Sequence, residues 1–239
     1  MKGKTVQLHK LGSEIWVYEG STVDFHGYPF PTRMTVVRLA DNNLWIHSPE
    51  KINDELKYEL SQLGTVKYLI SPNKLHHLFL HEWMAAYPDS VTYSAPGLSR
   101  KRRDIKFDVE LSDVAENEWE NDINQTIFHG SPAMEEVVFY HKLSKTLVLT
   151  DLIENFNPST LNWWQKGLAH FAGILSPNGK MPLDWRISFL FGNKKIARNS
   201  LNIIMSWDTE NVILSHGECV FGSGNDFIKT SFSWLSKNV

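Results

Sequence analysis

Tyr68-Leu69-Ile70-Ser71-Pro72-Asn73-Lys74-Leu75-His76-His77 is an apolar run that breaks into a turn and delivers two adjacent histidines. Four other stretches have the same construction: Leu44-Trp45-Ile46-His47, Thr126-Ile127-Phe128-His129, Leu147-Val148-Leu149-Thr150-Asp151 and Val212-Ile213-Leu214-Ser215-His216-Gly217. Each reads as a buried strand, β-branched or aromatic and bounded by turn residues. Each also releases a histidine or aspartate at its C-terminal end. One such strand end is ordinary, but five with the same polarity predict a single site assembled from distant parts of the chain.

The composition sets the limits. The 239 residues suffice for one large domain or two small ones with a sizeable core. Hydrophobic residues at 42% and charged residues at 21% are those of a soluble globular protein. A formal charge of −3 gives no reason to expect nucleic acid as a partner. The densest basic run, Arg100-Lys101-Arg102-Arg103, lies beside Asp104 and Asp108 and reads as a solvated loop in preference to a phosphate site. A single cysteine, Cys219, excludes an internal disulfide framework and fits a reducing, cytoplasmic setting; it reads as a structural thiol. No signal peptide is evident after Met1, and no apolar run approaches the ~18 residues of a spanning helix.

Outward from the opening stretch, Ile15–Tyr18 and Met34–Leu39 read as strands, with a loop from Phe25 to Pro31 between them. Asp41-Asn42-Asn43 is a hairpin turn into Leu44–Ile46. Ile52, Leu56, Leu60 and Leu63 keep helical spacing between Pro49 and Gly64. A second helix is expected from Leu78 to Tyr87, then strands at 91–93, around Val109, and at 125–128, 136–140 and 146–150. After Asp151 the character changes to helices over Leu161–Leu175, Lys194–Trp207 and Phe227–Leu235, with one strand at Val212–Leu214. Residues 155–192 contain no convincing strand and three tryptophans, Trp163, Trp164 and Trp185. This segment reads as a lid, a dimer surface or a membrane-lying helix, the packed readings being preferred because the helix lacks a Lys/Arg-rich polar face.

Neutral imidazoles on rigid strand ends suit a metal that keeps one position open for water. His76 and His77, being adjacent, both reach one site only where the chain turns, and Pro72 and Asn73 favour such a turn. Taken singly, each strand-end histidine reads as well as a hydrogen-bonded structural group, and Asp151 as a helix cap. His77 and His81 stand at i, i+4, but Glu82 follows the second histidine instead of the first, so the zinc-protease helix pattern fails. No G-x-S-x-G elbow or complete phosphate-binding glycine loop occurs.

The order of these elements resembles the metallo-β-lactamase superfamily, and within it an uncharacterised branch with a Ser-Pro-Asn-x-x-His-His signature, here Ser71 to His77. The similarity covers roughly residues 7 to 235. It implies an α+β fold, an αββα four-layer sandwich of two mixed β-sheets flanked by helices, formed by residues 1–239 as one domain with a helical, aromatic-rich insertion at about 155–192. The superfamily's His-x-His-x-Asp-His motif falls on Pro72, Lys74, His76 and His77, so two histidines are replaced and His76 stands in the aspartate's place. His129 resembles the third-histidine loop, Asp151 the metal-bridging aspartate and His216-Gly217 the terminal histidine motif. His47-Ser48-Pro49 occupies the place of an early Asp-x-Gly motif.

The resemblance, so modified, implies one Zn or Fe ion held by His76, His77, Asp151 and His216. Lys74 would stabilise an oxyanion, with His129 and His47 as a further ligand or proton carriers. The expected activity is hydrolysis of an ester, amide or phosphoester in a small-molecule substrate. The competing expectation is a metal-free pseudoenzyme of the same fold that binds or scaffolds a partner through the aromatic segment 155–192; a homodimer through that segment is expected under either reading.

Overall fold

The computed structural model describes residues 7–25 and 28–236, in two compact units that meet in sequence between Leu111 and Ser112. In the first unit, short, largely buried runs build a seven-stranded mixed sheet. Its strands are β1 (Leu8–Gly12), β2 (Ile15–Glu19), β5 (Arg33–Arg38), β6 (Asn43–His47), β7 (Thr65–Ser71), β8 (Val91–Ser94) and β9 (Val109–Glu110) in that spatial order. Pairing is antiparallel from β1 to β6 and parallel from β6 to β9. The parallel part needs crossovers, supplied by α1 (Asp54–Leu63) and α2 (Leu80–Ala86). Trp16, Tyr18, Met34, Val36, Leu44, Ile46 and Leu69 form one core with Leu56 and Leu60 of α1 and Leu80 and Trp83 of α2. Asn53 caps α1 by accepting from the Leu56 N–H at 2.7 Å.

The stretch expected as a loop from Phe25 to Pro31 departs from that expectation. Val23–Phe25 (β3) pairs antiparallel with Tyr28–Phe30 (β4), while residues 26 and 27 lie outside the described residues. Pro29 is tolerated because the ribbon has only two strands, so a proline need not interrupt a central ladder. A short helix α3 (Leu98–Lys101) completes the unit.

The second unit contains a four-stranded mixed sheet, β10 (Ile123–Phe128), β11 (Glu136–His141), β12 (Thr146–Leu149) and β13 (Asn211–Leu214), antiparallel except for the parallel β12–β13 pair. Between those two strands come a 3-10 turn (Pro158–Thr160), α4 (Trp163–Ala172), α5 (Leu183–Ser188) and α6 (Lys194–Ser206); α7 (Gly224–Ser231) and α8 (Ser233–Ser236) follow. Phe128, Val138, Leu147, Leu149, Val212 and Leu214 pack with Ala197, Leu201 and Ile204 of α6 and with Phe227 and Ile228 of α7. The single helix expected over Phe227–Leu235 begins earlier and is interrupted at Phe232. The short helix α5 was not expected, since six residues hold too few turns to display a period.

The α+β class with two mixed sheets flanked by helices is therefore the observed fold. Among the described residues no helix is long and apolar enough to cross a membrane.

Candidate functional site

The parallel register of β12 and β13 pairs Leu149 with Leu214. Two residues past those positions on each strand stand Asp151 and His216, so equal overhang brings the two side chains together. His216 Nε2 lies 3.1 Å from Asp151 Oδ1, and both residues are buried. The loops carrying them are fixed independently. Glu136, at the start of β11, accepts the Thr150 N–H at 2.8 Å through Oε1. Its Oε2 accepts the Thr150 hydroxyl at 2.6 Å, the Asp151 N–H at 2.8 Å and the Leu152 N–H at 3.1 Å. Burial, with Asp151 nearby, pushes the Glu136 carboxyl above its ordinary pKa, while the donors from Thr150 and Asp151 pull it back.

On the other loop the Asn155 N–H donates to the His216 carbonyl at 3.2 Å, and the Glu218 N–H to the Asn155 carbonyl at 2.8 Å. Gly217 has φ 97°, and a Cβ there would lie 2.2 Å from the Asn155 carbonyl oxygen. Only glycine fits this close left-handed crossing. Beside the pair, Glu154 has its pKa raised to about 8. Burial is the main cause; His216 opposes it, and Asp151 and Asp184 add to it.

His129 follows β10 and takes a different set of partners. Its Nδ1 lies 2.6 Å from Glu135 Oε1 and its Nε2 3.0 Å from Asp113 Oδ2. Burial lowers its pKa, but the two carboxylates outweigh that and raise it overall, favouring the doubly protonated ring.

In the first unit the turn expected at Pro72–Asn73 forms: Asn73 Oδ1 accepts from the Leu75 N–H at 2.8 Å and the His76 N–H at 3.0 Å. The two adjacent histidines then diverge. His76 Nδ1 is 2.6 Å from the Ser48 hydroxyl. His77 Nδ1 is 2.7 Å from Arg102 Nη1 and accepts from it, while Arg102 is itself gripped by Asp104 through two hydrogen bonds. Burial, then Arg102 and Lys101, lower the His77 pKa and keep the ring neutral. His47 is buried and stacked on Trp45, with ring centroids 5.3 Å apart. Its pKa is lowered to about 3, by burial first and then by His76. Lys74 is half-buried, its carbonyl accepts from Lys101 Nζ at 2.6 Å, and its side chain crosses Gly97.

The structure thus pairs Asp151 with His216, commits His129 to two carboxylates and turns His76 and His77 to different partners. Sequence reasoning missed Ser48, Arg102, Glu136 and Glu154. For Glu136 a signal existed, since an ionisable residue directly precedes the apolar and aromatic run Val137–Tyr140.

Tetrahedral ligands about 2.0–2.1 Å from a zinc ion stand roughly 3.3 Å from one another. The 3.1 Å separation of His216 Nε2 and Asp151 Oδ1 therefore suits two neighbouring ligands of one ion as well as a hydrogen bond. Carboxylate plus imidazole is a donor pair that fits Zn²⁺ or Fe²⁺.

A family model described as a domain of unknown function (DUF4336) matches residues 13–170. No curated protein matches the chain. Among solved structures, a metallo-β-lactamase from Pontibacter korlensis is similar at 13% identity and TM-score 0.64, covering 98% of this chain and 100% of its own. A metallo-β-lactamase from Hirschia baltica has 14% identity and TM-score 0.64, with 99% and 100% covered. The metal-soaked Flv1 flavodiiron core from Synechocystis sp. PCC6803 has 11% identity and TM-score 0.63, with 97% of this chain and 61% of its own covered. At these identities the likeness is one of fold.

Proposed function

Because the chain belongs to the family described as a domain of unknown function (DUF4336) and has a metallo-β-lactamase fold, we propose that it is a divergent single-metal hydrolase of that superfamily. The observation that carries this reading is the buried Asp151–His216 pair, held by Glu136 on one side and by Asn155 and Gly217 on the other. From the resemblance of Ser71–His77 to the superfamily's first metal motif, we propose His76 as a further ligand of one Zn²⁺ or Fe²⁺ ion held by the Asp151–His216 pair. Such an ion supplies Lewis acidity toward water and toward a carbonyl or phosphoryl oxygen.

The chain's own residues do the rest. Glu136 holds the 150–152 backbone so that Asp151 keeps its orientation, a supporting role that metal sites commonly require. Ser48 sets the orientation of the His76 ring by bonding Nδ1 at 2.6 Å. His77 is left out of the proposed ligand set, because a ring whose Nδ1 accepts from Arg102 carries its own proton on Nε2 and offers no lone pair there. Lys74 is assigned the stabilisation of negative charge developing on the substrate. Neither remaining histidine moves a proton in this reading. His47, with a pKa of about 3, is uncharged and too weak a base to take up a proton near neutrality, and His129 is bound at both nitrogens.

A panel of aryl esters, anilides and phosphodiesters tests the reading. Turnover of at least one class is expected after loading with zinc or iron, with loss on chelation and recovery on re-addition. A fully loaded protein that turns over none of them contradicts hydrolysis and favours the binding role.

A further inference from the structure

Helix α4, Trp163-Trp164-Gln165-Lys166-Gly167-Leu168-Ala169-His170-Phe171-Ala172, faces the opposite way from its composition. Its buried positions are Gln165 and Ala169. Trp163 is 85% exposed and Phe171 79%, and Trp164 and Leu168 are exposed as well. The orientation is fixed by a capping box in which Asn162 Oδ1 accepts the Gln165 N–H and Gln165 Oε1 accepts the Asn162 N–H, both at 3.0 Å. The Arg186 guanidinium bonds the Ala172 carbonyl, which joins α5 to the end of α4. Beyond it Ile187, Leu190 and Phe191 (84%) are again exposed, while Trp185 and Phe189 fill the interior. Soluble proteins seldom leave so many large apolar side chains together on the surface without a partner.

The charge of the segment that carries this face selects the partner. From Thr160 to Ser200 the chain has six basic residues, Lys166, Lys180, Arg186, Lys194, Lys195 and Arg198, against one acidic residue, Asp184. The whole chain has 24 basic and 27 acidic residues, so the asymmetry is local. In a two-fold dimer the patch would meet its own copy, setting cation against cation. An anionic surface instead attracts the cations of this segment while accepting the aromatics. We propose that α4 and the segment through Lys195 dock on the surface of an anionic lipid bilayer. The helix lies in the interfacial plane, with Trp163, Trp164, Leu168, Phe171 and Phe191 entering the headgroup region and Lys166, Lys194 and Lys195 meeting the lipid charge.

Sedimentation of the full chain with vesicles tests this independently of any hydrolytic activity. Binding is expected to vesicles of phosphatidylcholine mixed with phosphatidylserine, and to be much weaker with phosphatidylcholine alone or at high salt. Replacing Trp163, Phe171 and Phe191 together by serine is expected to weaken it at least about tenfold. K166E/K194E/K195E is expected to abolish the preference for the anionic vesicles. These side chains are exposed, so circular dichroism should show an unchanged fold. No binding to either vesicle overturns the proposal. So does a dimer, seen by light scattering, that the serine variant abolishes, because a second copy would then be the partner.

Discussion

Replacing Glu136 with alanine is expected to lower the stability of the metal-free protein by about 3–5 kcal/mol. The carboxylate is fully buried and accepts the N–H groups of Thr150, Asp151 and Leu152 together with the Thr150 hydroxyl. Truncation strands these donors away from water at about 1–3 kcal/mol for each left unpaired. Relief of the carboxylate's own desolvation, seen in its raised pKa, offsets part of that cost. Urea denaturation of the two proteins measures the difference. A loss under about 1 kcal/mol would mean that water replaces the carboxylate without penalty, and that Asp151 is not held in the way described.

The second large effect depends on pH. Folding raises the Glu154 pKa from 4.5 to about 8, chiefly by burial. Between those values the folded chain binds a proton that the unfolded chain has released. The associated stability is fully present below about pH 4.5 and is lost as pH rises through about 8. Each tenfold gain in proton affinity on folding is worth about 1.4 kcal/mol, so the change across the window is on the order of 5 kcal/mol. Glu154→Gln mimics the protonated carboxyl and removes the titration. In metal-free protein the variant's stability relative to the parent should therefore rise steadily from pH 5 to pH 8. Parallel stability curves over that range would show that Glu154 does not carry the proton.

The fold was legible in the sequence where burial imposes a period. Leu44–Ile46 and Leu147–Leu149 are apolar at every position because β6 and β12 are buried over most of their length. The Asp151–His216 pairing was legible in part. Matching strand ends were visible, whereas the parallel register that pairs them depends on tertiary packing. Partners made by loop geometry were not legible. Nothing near His129 in the chain shows that Asp113, reached from sixteen residues upstream, will take its Nε2. The direction of α4 was hidden for a related reason. An aromatic-rich helix ordinarily reads as packed through its aromatics, and here a capping box and a buried glutamine turn those aromatics outward.

The central claim is that Asp151 and His216 serve one metal ion. Elemental analysis tests it on the parent protein and on His216→Ala, both prepared with zinc and iron supplied and compared by circular dichroism to verify the fold. One equivalent of zinc or iron is expected in each parent chain, and its loss from the folded variant. A parent that stays far below one equivalent, or a variant that keeps the parent's metal content, would contradict it.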